Sequence, residues 1–441
     1  MSTPTLTERF RTAYQSLTIL PLQTQEDWDK YHVPYGQRIV RKLKTVIKNC
    51  SEVNNKILFT GHRGCGKSTL LNELARQLGD QYCVVSFSIA DSIEMSDVNH
   101  ITILFSIGVQ MMDWAEQNDI KIKNSIRESL YRWFATVTKT DVEEPLKAEF
   151  SGGFNLLGWI KGQLKTSAYT RKEIKQTFEP KTSELVNQLN TIATVVEEAA
   201  DRKVLVIIDD LDKLDLAVVR DVYSDHIKTL FQPAFRIIFT LPVAVLPKID
   251  LRETLRSESS NKLYSMGVAK LYPKPDPIEG RQPPETREPI ASTVNTLSEI
   301  ISRRIPTDLI EPEAQKMIIF NSGGVLRELV RLAQGCCEEC LFLIDMEPER
   351  EDIKITPKVV KTAIKDMRND FAAPMSEPFY RILTAVYRTL NEPTENDVDH
   401  QKFLNLLHGL YILEYENDDV WYDVHPIVVD LLNRKGRFLP V

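Results

Sequence analysis

The sequence predicts an α/β protein with a parallel sheet, followed by a helical region and a small C-terminal domain of helices and a hairpin. Three observations predict it. Short apolar runs at residues 56–60, 82–89, 204–208 and 235–240 alternate with stretches of helical periodicity, the order expected of a parallel α/β sheet. Only 17 glycines occur in 441 residues, yet Gly61, Gly64 and Gly66 fall within six positions. Six prolines crowd residues 273–289, and beyond them the chain reads as helical until two short β-rich runs near its end.

Taken in order, residues 1–50 are polar and helical, with a break at Tyr31-His32-Val33-Pro34-Tyr35, where the proline disfavours helix at Val33. The core is expected over 51–272. Leu70, Leu71, Leu74 and Leu78 recur at helical spacing after the glycines, and Ile101, Leu104, Phe105 and Met112 mark a second amphipathic helix. Residues 120–180 lose that periodicity. With four glycines in 150–162 and a charged stretch at 170–175, they read as an insertion and not a core layer. Helical spacing returns at 181–200, residues 204–208 form an apolar strand ending in Asp209-Asp210, and a last core strand is expected over 262–272. The proline-rich 273–289 is a semi-rigid linker. A helical lid follows over 290–370, broken at Asn321-Ser322-Gly323-Gly324. Residues 371–441 read as a winged helix, with a hairpin around Glu416-Asn417-Asp418-Asp419.

Composition narrows the function classes. Lysine and arginine number 55 against 62 aspartates and glutamates, a net charge of -7, which excludes a globally basic nucleic-acid coat. At 42% apolar and 27% charged the chain is an ordinary folded protein. Neither an apolar leader nor a stretch approaching the roughly 20 residues of a membrane span is present, so a cytoplasmic protein with no membrane partner is expected. Six irregularly spaced cysteines read as reduced thiols.

Gly61-His62-Arg63-Gly64-Cys65-Gly66-Lys67-Ser68 fits the G-x-x-x-x-G-K-[ST] phosphate loop, and it lies between a strand and a helix, as the mechanism requires. Glycines let backbone amides turn inward as an anion nest, and the helix N-terminus, running on through Ser68 and Thr69, adds partial positive charge. Lys67 is expected to reach the β and γ phosphates and Ser68 to coordinate magnesium. A phosphate loop needs a partner strand that delivers carboxylates. Val204-Leu205-Val206-Ile207-Ile208-Asp209-Asp210 supplies it, with Asp209 for the metal and Asp210 for the attacking water. The guanine-reading Asn-Lys-x-Asp motif is matched only by Asn261-Lys262-Leu263-Tyr264, which lacks the aspartate, so Mg-ATP is expected over GTP. Tyr31, Val33 and Tyr35 lie just upstream of the loop and either pack against adenine or serve as ordinary core. Cys336, Cys337 and Cys340 share a helix but lack a fourth ligand, and read as small core residues. Cys65 lies inside the loop, where thiol reagents are expected to reach it.

The loop, the Asp209-Asp210-Leu211-Asp212 ending, Thr240 after the fourth apolar strand and Gly324-Val325-Leu326-Arg327-Glu328-Leu329 together resemble the additional-strand-catalytic-glutamate NTPases. More narrowly they look like the STAND and KAP branches, with a lid similar to that of the origin-recognition ATPases of the AAA+ superfamily. The resemblance spans about residues 30–370, and a winged helix is often appended in such proteins. It implies that Thr240 is a sensor-1 residue and Arg327 a sensor-2 arginine bringing the lid onto nucleotide. It also implies an arginine finger from a neighbouring subunit, for which Arg256, or Arg252 beside it, is in position, with Arg171 a competitor. Two features depart from the pattern: aspartate stands at 210 where AAA+ members usually carry glutamate, and the loop and the acidic strand are unusually far apart. The resemblance implies an ATP-hydrolysing switch that works as a homo-oligomer or with a protein partner. The alternatives are a DNA-associated initiator or transposition-loader ATPase and a nucleotide-bound scaffold that does not turn over. The winged helix, with six basic against eleven acidic residues over 371–441, has the wrong sign for duplex DNA. A basic surface elsewhere, at Arg303-Arg304 or over 161–175, stays open to nucleic acid.

Overall fold

The computed structural model describes residues 4–51, 55–138, 155–275, 287–393, 397–416 and 419–437. The chain divides into two compact units. One, the sheet unit, comprises residues 38–60 and 70–265. The other, the loop-and-lid unit, comprises residues 1–37, 61–69 and 266–441.

The sheet unit is built on β1 (Lys56–Gly61), β2 (Tyr82–Ser88), β3 (Lys203–Asp209), β4 (Arg236–Pro242) and β5 (Leu263–Met266), in spatial order β2-β3-β4-β1-β5. β2 and β3 run parallel with Val85 opposite Val206, and β3 and β4 run parallel with Ile207 opposite Ile238. The central strands are buried except at Lys203, Asp209 and Arg236 at their ends, which is why they read as continuous apolar runs. β4 lies between β1, which leads into the phosphate loop, and β3, which ends in the aspartates. This is the additional strand of the class that the sequence resembles.

The helix His100–Gln117 is apolar on almost every face, the composition of a helix with no solvent side. It packs against β2 and against the helices Leu156–Thr166, Ala168–Phe178 and Thr182–Ala200. Phe105 contacts Phe134 edge-on at 5.6 Å between ring centroids and Phe178 at 6.4 Å, and such pairs contribute about 0.5–1.5 kcal/mol beyond their burial. Residues 120–180 therefore differ from expectation. Leu130, Tyr131, Phe134, Leu157, Ile160 and Phe178 belong to the same buried cluster as the strands, so the described part of this stretch is a core layer. Its glycines Gly158 and Gly162 sit inside a helix; Gly152 and Gly153 lie outside the described residues. The strand expected over 262–272 is only β5, four residues long.

In the loop-and-lid unit the first helix, Leu6–Ser16, is closed by a capping box between Thr5 and Glu8 and packs on the long helix Leu326–Met346. Ala291–Ser302, Pro312–Asn321 and Pro357–Ala372 complete the lid. Cys336, Cys337 and Cys340 are all fully buried, and burial pushes the Cys340 thiol up to about 12, so they are the inert core residues expected. Helices Glu377–Thr389 and Asp397–His408 precede the hairpin β6 (Ile412–Glu416) and β7 (Val420–Val424), and Pro426–Arg434 closes the domain. Phe403, Leu404, Leu406 and Leu407 are buried, so the helix Asp397–His408 spends its apolar side on its own core. Residues 417 and 418 of the expected wing tip and 276–286 of the linker lie outside the described residues. Among those described, no helix is long and apolar enough to cross a membrane.

Candidate nucleotide-binding site

The phosphate loop follows β1 without a break and runs into the helix Lys67–Leu78. Gly61, Gly64 and Gly66 all take positive φ, at 149°, 76° and 104°. Gly64 shows why glycine is needed. A Cβ there would lie 2.4 Å from the Cβ of Arg327, on top of the strain that a side chain meets at this φ. The Lys67 ammonium donates to the carbonyls of Gly61 and His62 at 2.9 and 2.8 Å, and the lysine is buried. Ser68 and Thr69 are half-buried at the start of the helix. Cys65 is fully covered, so the expected sensitivity to thiol reagents is not supported by this conformation.

The loop is wired to the lid and to the wing. The backbone N–H of Arg327, second residue of Leu326–Met346, donates to Gly64 O at 3.0 Å, and Leu326 stands against Gly66. His62 is buried, and its Nε2 accepts from the backbone N–H of Glu414 in β6 at 2.7 Å. Arg63 meets His408, the last residue of Asp397–His408, at 2.7 Å. Tyr415 donates to Gly323 O at 3.0 Å, tying the hairpin to the turn that precedes the Arg327 helix. Sequence reasoning placed His62 and Arg63 only as loop residues. A large side chain at a loop position that tolerates almost any residue was the one available signal.

Upstream of the loop the three aromatic-side candidates separate. Tyr35 lies beside Gly66 and lines a cleft of about 270 Å³ with Val268, Ala269, Lys270, Thr293 and Leu297. Tyr31 instead stacks under the Arg304 guanidinium, 5.0 Å from the ring centre, and Val33 is buried. Of the three, Tyr35 is the one at the cleft, and Tyr31 is a correction: its ring face is taken by Arg304.

In the sheet unit the acidic end of β3 is held from several sides. Asp209 Oδ1 accepts from the backbone N–H of Asp210 at 2.8 Å. Asp210 takes a left-handed conformation, φ 68°, accepts from Ser88 Oγ at 2.7 Å and pairs with Lys213 at 2.6 Å. Aspartate tolerates that backbone region better than glutamate does, because its short side chain bonds locally. This is a physical reason for aspartate where glutamate is usual. Asp209, Asp210 and Asp212 each bring one carboxylate oxygen within 4.8 Å of the others, a hard-oxygen set that suits magnesium.

Thr240 requires a correction. Its hydroxyl accepts from Leu211 N at 3.0 Å and donates to Ile208 O at 3.1 Å, and it is fully buried. With its single proton committed to a carbonyl, it braces the acidic turn and has none to offer a phosphate. Tyr223, whose phenol burial and Asp212 hold well above its ordinary pKa, donates to Thr240 O at 3.1 Å. Among the finger candidates, Arg171 is buried and bonded to Asp97 and to the carbonyls of Leu164 and Lys165, so it is structural. Arg256 is half-exposed on Ile249–Glu258 and pairs with Glu253 at 3.9 Å.

These elements have a counterpart among known sequences. The KAP family P-loop domain matches residues 37–257, half of the chain. The protein belongs to the KAP family. That span contains the phosphate loop, the acidic strand and Thr240, so the KAP domain carries each of the motifs in the sheet order described above. No curated protein matches the chain. Among solved structures it is similar to the Walker-type ATPase paby2304 of Pyrococcus abyssi, at 15% identity over 95% of this chain and 99% of that one, TM-score 0.46. It is also similar to the ORC2 protein of Aeropyrum pernix, at 12% identity over 97% and 98%, TM-score 0.41, and to Cdc6p from Pyrobaculum aerophilum, at 12% over 92% and 95%, TM-score 0.38.

Proposed function

We propose that this KAP-family P-loop NTPase is a Mg-ATP switch in which nucleotide at the phosphate loop controls how the lid and the winged-helix domain are held. The observation that carries the reading is the bonding of successive loop residues to three different elements: His62 to Glu414, Arg63 to His408 and Gly64 to Arg327. A ligand shifts a conformational equilibrium only through different contacts in the two states. Phosphates draw the loop's backbone N–H groups inward and so reposition the residues that carry these bonds, which can supply that difference. Lys67 would exchange its carbonyl partners for phosphate oxygens, Arg327 would follow the lid, and Tyr35 would border the base. Magnesium bound with the nucleotide neutralises phosphate charge; Ser68 and Asp209 would hold it. Asp210 would orient the attacking water.

Hydrolysis at such a site is mainly positioning and charge neutralisation. A homo-oligomer is part of the reading, with half-exposed Arg256 the residue offered to a neighbour. The winged helix is read as a protein-facing or self-packing domain: the one lysine on its helix Asp397–His408, Lys402, pairs with Asp399, which Arg381 also grips at 2.6 and 2.7 Å. Calorimetry of ATP binding tests the core of the reading. Lys67→Ala should abolish binding, and an unchanged affinity would overturn it. Hydrogen exchange of β6 with and without Mg-ATP tests the coupling, since faster exchange at Glu414 on nucleotide addition is required.

A further inference from the structure

A second cluster in the sheet unit joins His100, Asp221 and His226. His100 is the first residue of His100–Gln117, whose N-terminus Asn99 already caps through Ile101 and Thr102, so the histidine is not needed there. It is 5% exposed, and its Nδ1 is buried with no hydrogen-bond partner among the described residues. Its ring stacks on His226 at 3.8 Å between centroids, 8° from parallel. Asp221 and His226 bracket a single π-helical turn, Asp221–Asp225. Such turns are rare and tend to mark functional sites. The wide turn brings the two residues together: His226 Nδ1 lies 2.9 Å from Asp221 O and 3.6 Å from its carboxylate. One ligand atom from each of the three residues lies within 4.8 Å of the others.

A buried imidazole without a partner costs free energy, and pressing a second imidazole on it does not relieve that cost. A cation between them does. The geometry points to a transition-metal site of the zinc type, with His100, Asp221 and His226 as ligands. Two nitrogens and one carboxylate are the donor set that selects zinc or cobalt over magnesium. Donors on one tetrahedral zinc stand roughly 3.4 Å apart, given bonds of about 2.0–2.2 Å, so the side chains must close to that spacing, and parallel rings cannot share an ion until one turns edge-on. His226 and Asp221 have that freedom, with side chains 35% and 51% exposed. Water would complete the tetrahedron as the fourth ligand. The ion would clamp the π turn that carries Tyr223, and through Tyr223 the Thr240 hydroxyl that braces the acidic end of β3. It would be structural, separate from the magnesium that travels with nucleotide.

The test is Co²⁺ titration of the full-length protein after chelation, read by the visible absorption of cobalt in a tetrahedral site. One equivalent should bind with nitrogen and oxygen ligation and no thiolate charge-transfer band. Zinc should displace it, and excess magnesium should not. His226→Ala and Asp221→Asn, both at accessible positions that the core does not need, should each weaken binding by tenfold or more, whereas Asp209→Asn should leave it unchanged. Zinc should raise the melting temperature of the parent protein and not that of His226→Ala. Absence of stoichiometric binding, a thiolate band, loss of the site in Asp209→Asn, or full affinity in both ligand variants would each overturn the assignment.

Discussion

The backbone N–H of Glu414 donates to His62 Nε2 at 2.7 Å, so a residue of the phosphate loop serves as hydrogen-bond acceptor for a strand of the winged-helix domain 352 positions away. The bond fixes the chemistry of the ring. Nε2 must be unprotonated to accept, the proton therefore sits on Nδ1, and a second proton would replace an acceptor with a donor facing a donor. Burial first, then the neighbouring Lys67 charge, pulls the His62 pKa down to about 3.

The first prediction follows from that shift. A histidine whose folded pKa lies below its unfolded value of about 6.5 contributes stability that is whole above pH 6.5 and lost as pH falls toward 3, because only the unfolded chain takes up the proton. His425, at about 3, and His100, at about 4, act in the same direction. Replacing His62 with Gln keeps an acceptor and removes the proton. Between pH 6.5 and 4 the slope of unfolding free energy against pH should fall by about 1.4 kcal/mol per unit, one proton's worth. Urea titrations at four pH values measure it, and an unaltered slope would refute the buried neutral state of His62.

A second prediction concerns Gly64 and Arg327. Alanine at 64 adds a strained φ, costing about 1 kcal/mol, and a Cβ 2.4 Å from that of Arg327. Only the second part depends on the lid. In a double-mutant cycle with Arg327→Gly, the combined variant should be more stable than the sum of the singles by about 1 kcal/mol or more. Strict additivity would mean that the lid does not rest on the loop.

Asp210→Asn is the third. Asparagine accepts the left-handed backbone as readily as aspartate and can still bond Ser88, so the fold should be kept and only the charge removed. On the proposed function ATP affinity should stay within about twofold while turnover falls by about 10²-fold or more, the scale of general acid-base contributions. Asp210→Glu, which restores the residue usual in related ATPases, should be less stable than the parent, since a longer side chain gains nothing from αL. Equal or greater stability in the Asp210→Glu variant would contradict the backbone explanation.

The parts of the protein legible in its sequence share a physical property: their information is local. Gly61 to Ser68 and Val204 to Asp210 could be read because a glycine turn and a buried parallel strand each write their requirement into consecutive residues. What could not be read depends on pairing across long separations. Nothing near Arg171 announces Asp97, nothing near His62 announces Glu414, and the core role of the described residues between 124 and 178 was hidden because a helix buried among other helices loses the one-sided pattern that marks an amphipathic one. Thr240 could not be assigned for a related reason: a strand-end hydroxyl looks the same in sequence whether it faces a phosphate or a carbonyl.

The last prediction separates those two roles of Thr240. Its hydroxyl joins Leu211 N to Ile208 O inside a fully buried site. Thr240→Val keeps the volume but strands one donor and one acceptor, and a buried unsatisfied group costs about 1–3 kcal/mol. A loss of roughly 2–4 kcal/mol of stability is therefore expected, and Thr240→Ser, which keeps the hydroxyl and gives up one methyl, should lose only about 1 kcal/mol. Tyr223→Phe removes a bond to the carbonyl of the same residue, so its effect should couple with that of Thr240→Val and fail to add. A hydroxyl that senses phosphate from an otherwise rigid strand end predicts the reverse: Thr240→Val at near-parent stability, with hydrolysis alone impaired. Chemical denaturation of the three single variants and the Val–Phe double, alongside single-turnover hydrolysis, distinguishes the two, because bracing places the stability loss first and the rate loss in proportion to it.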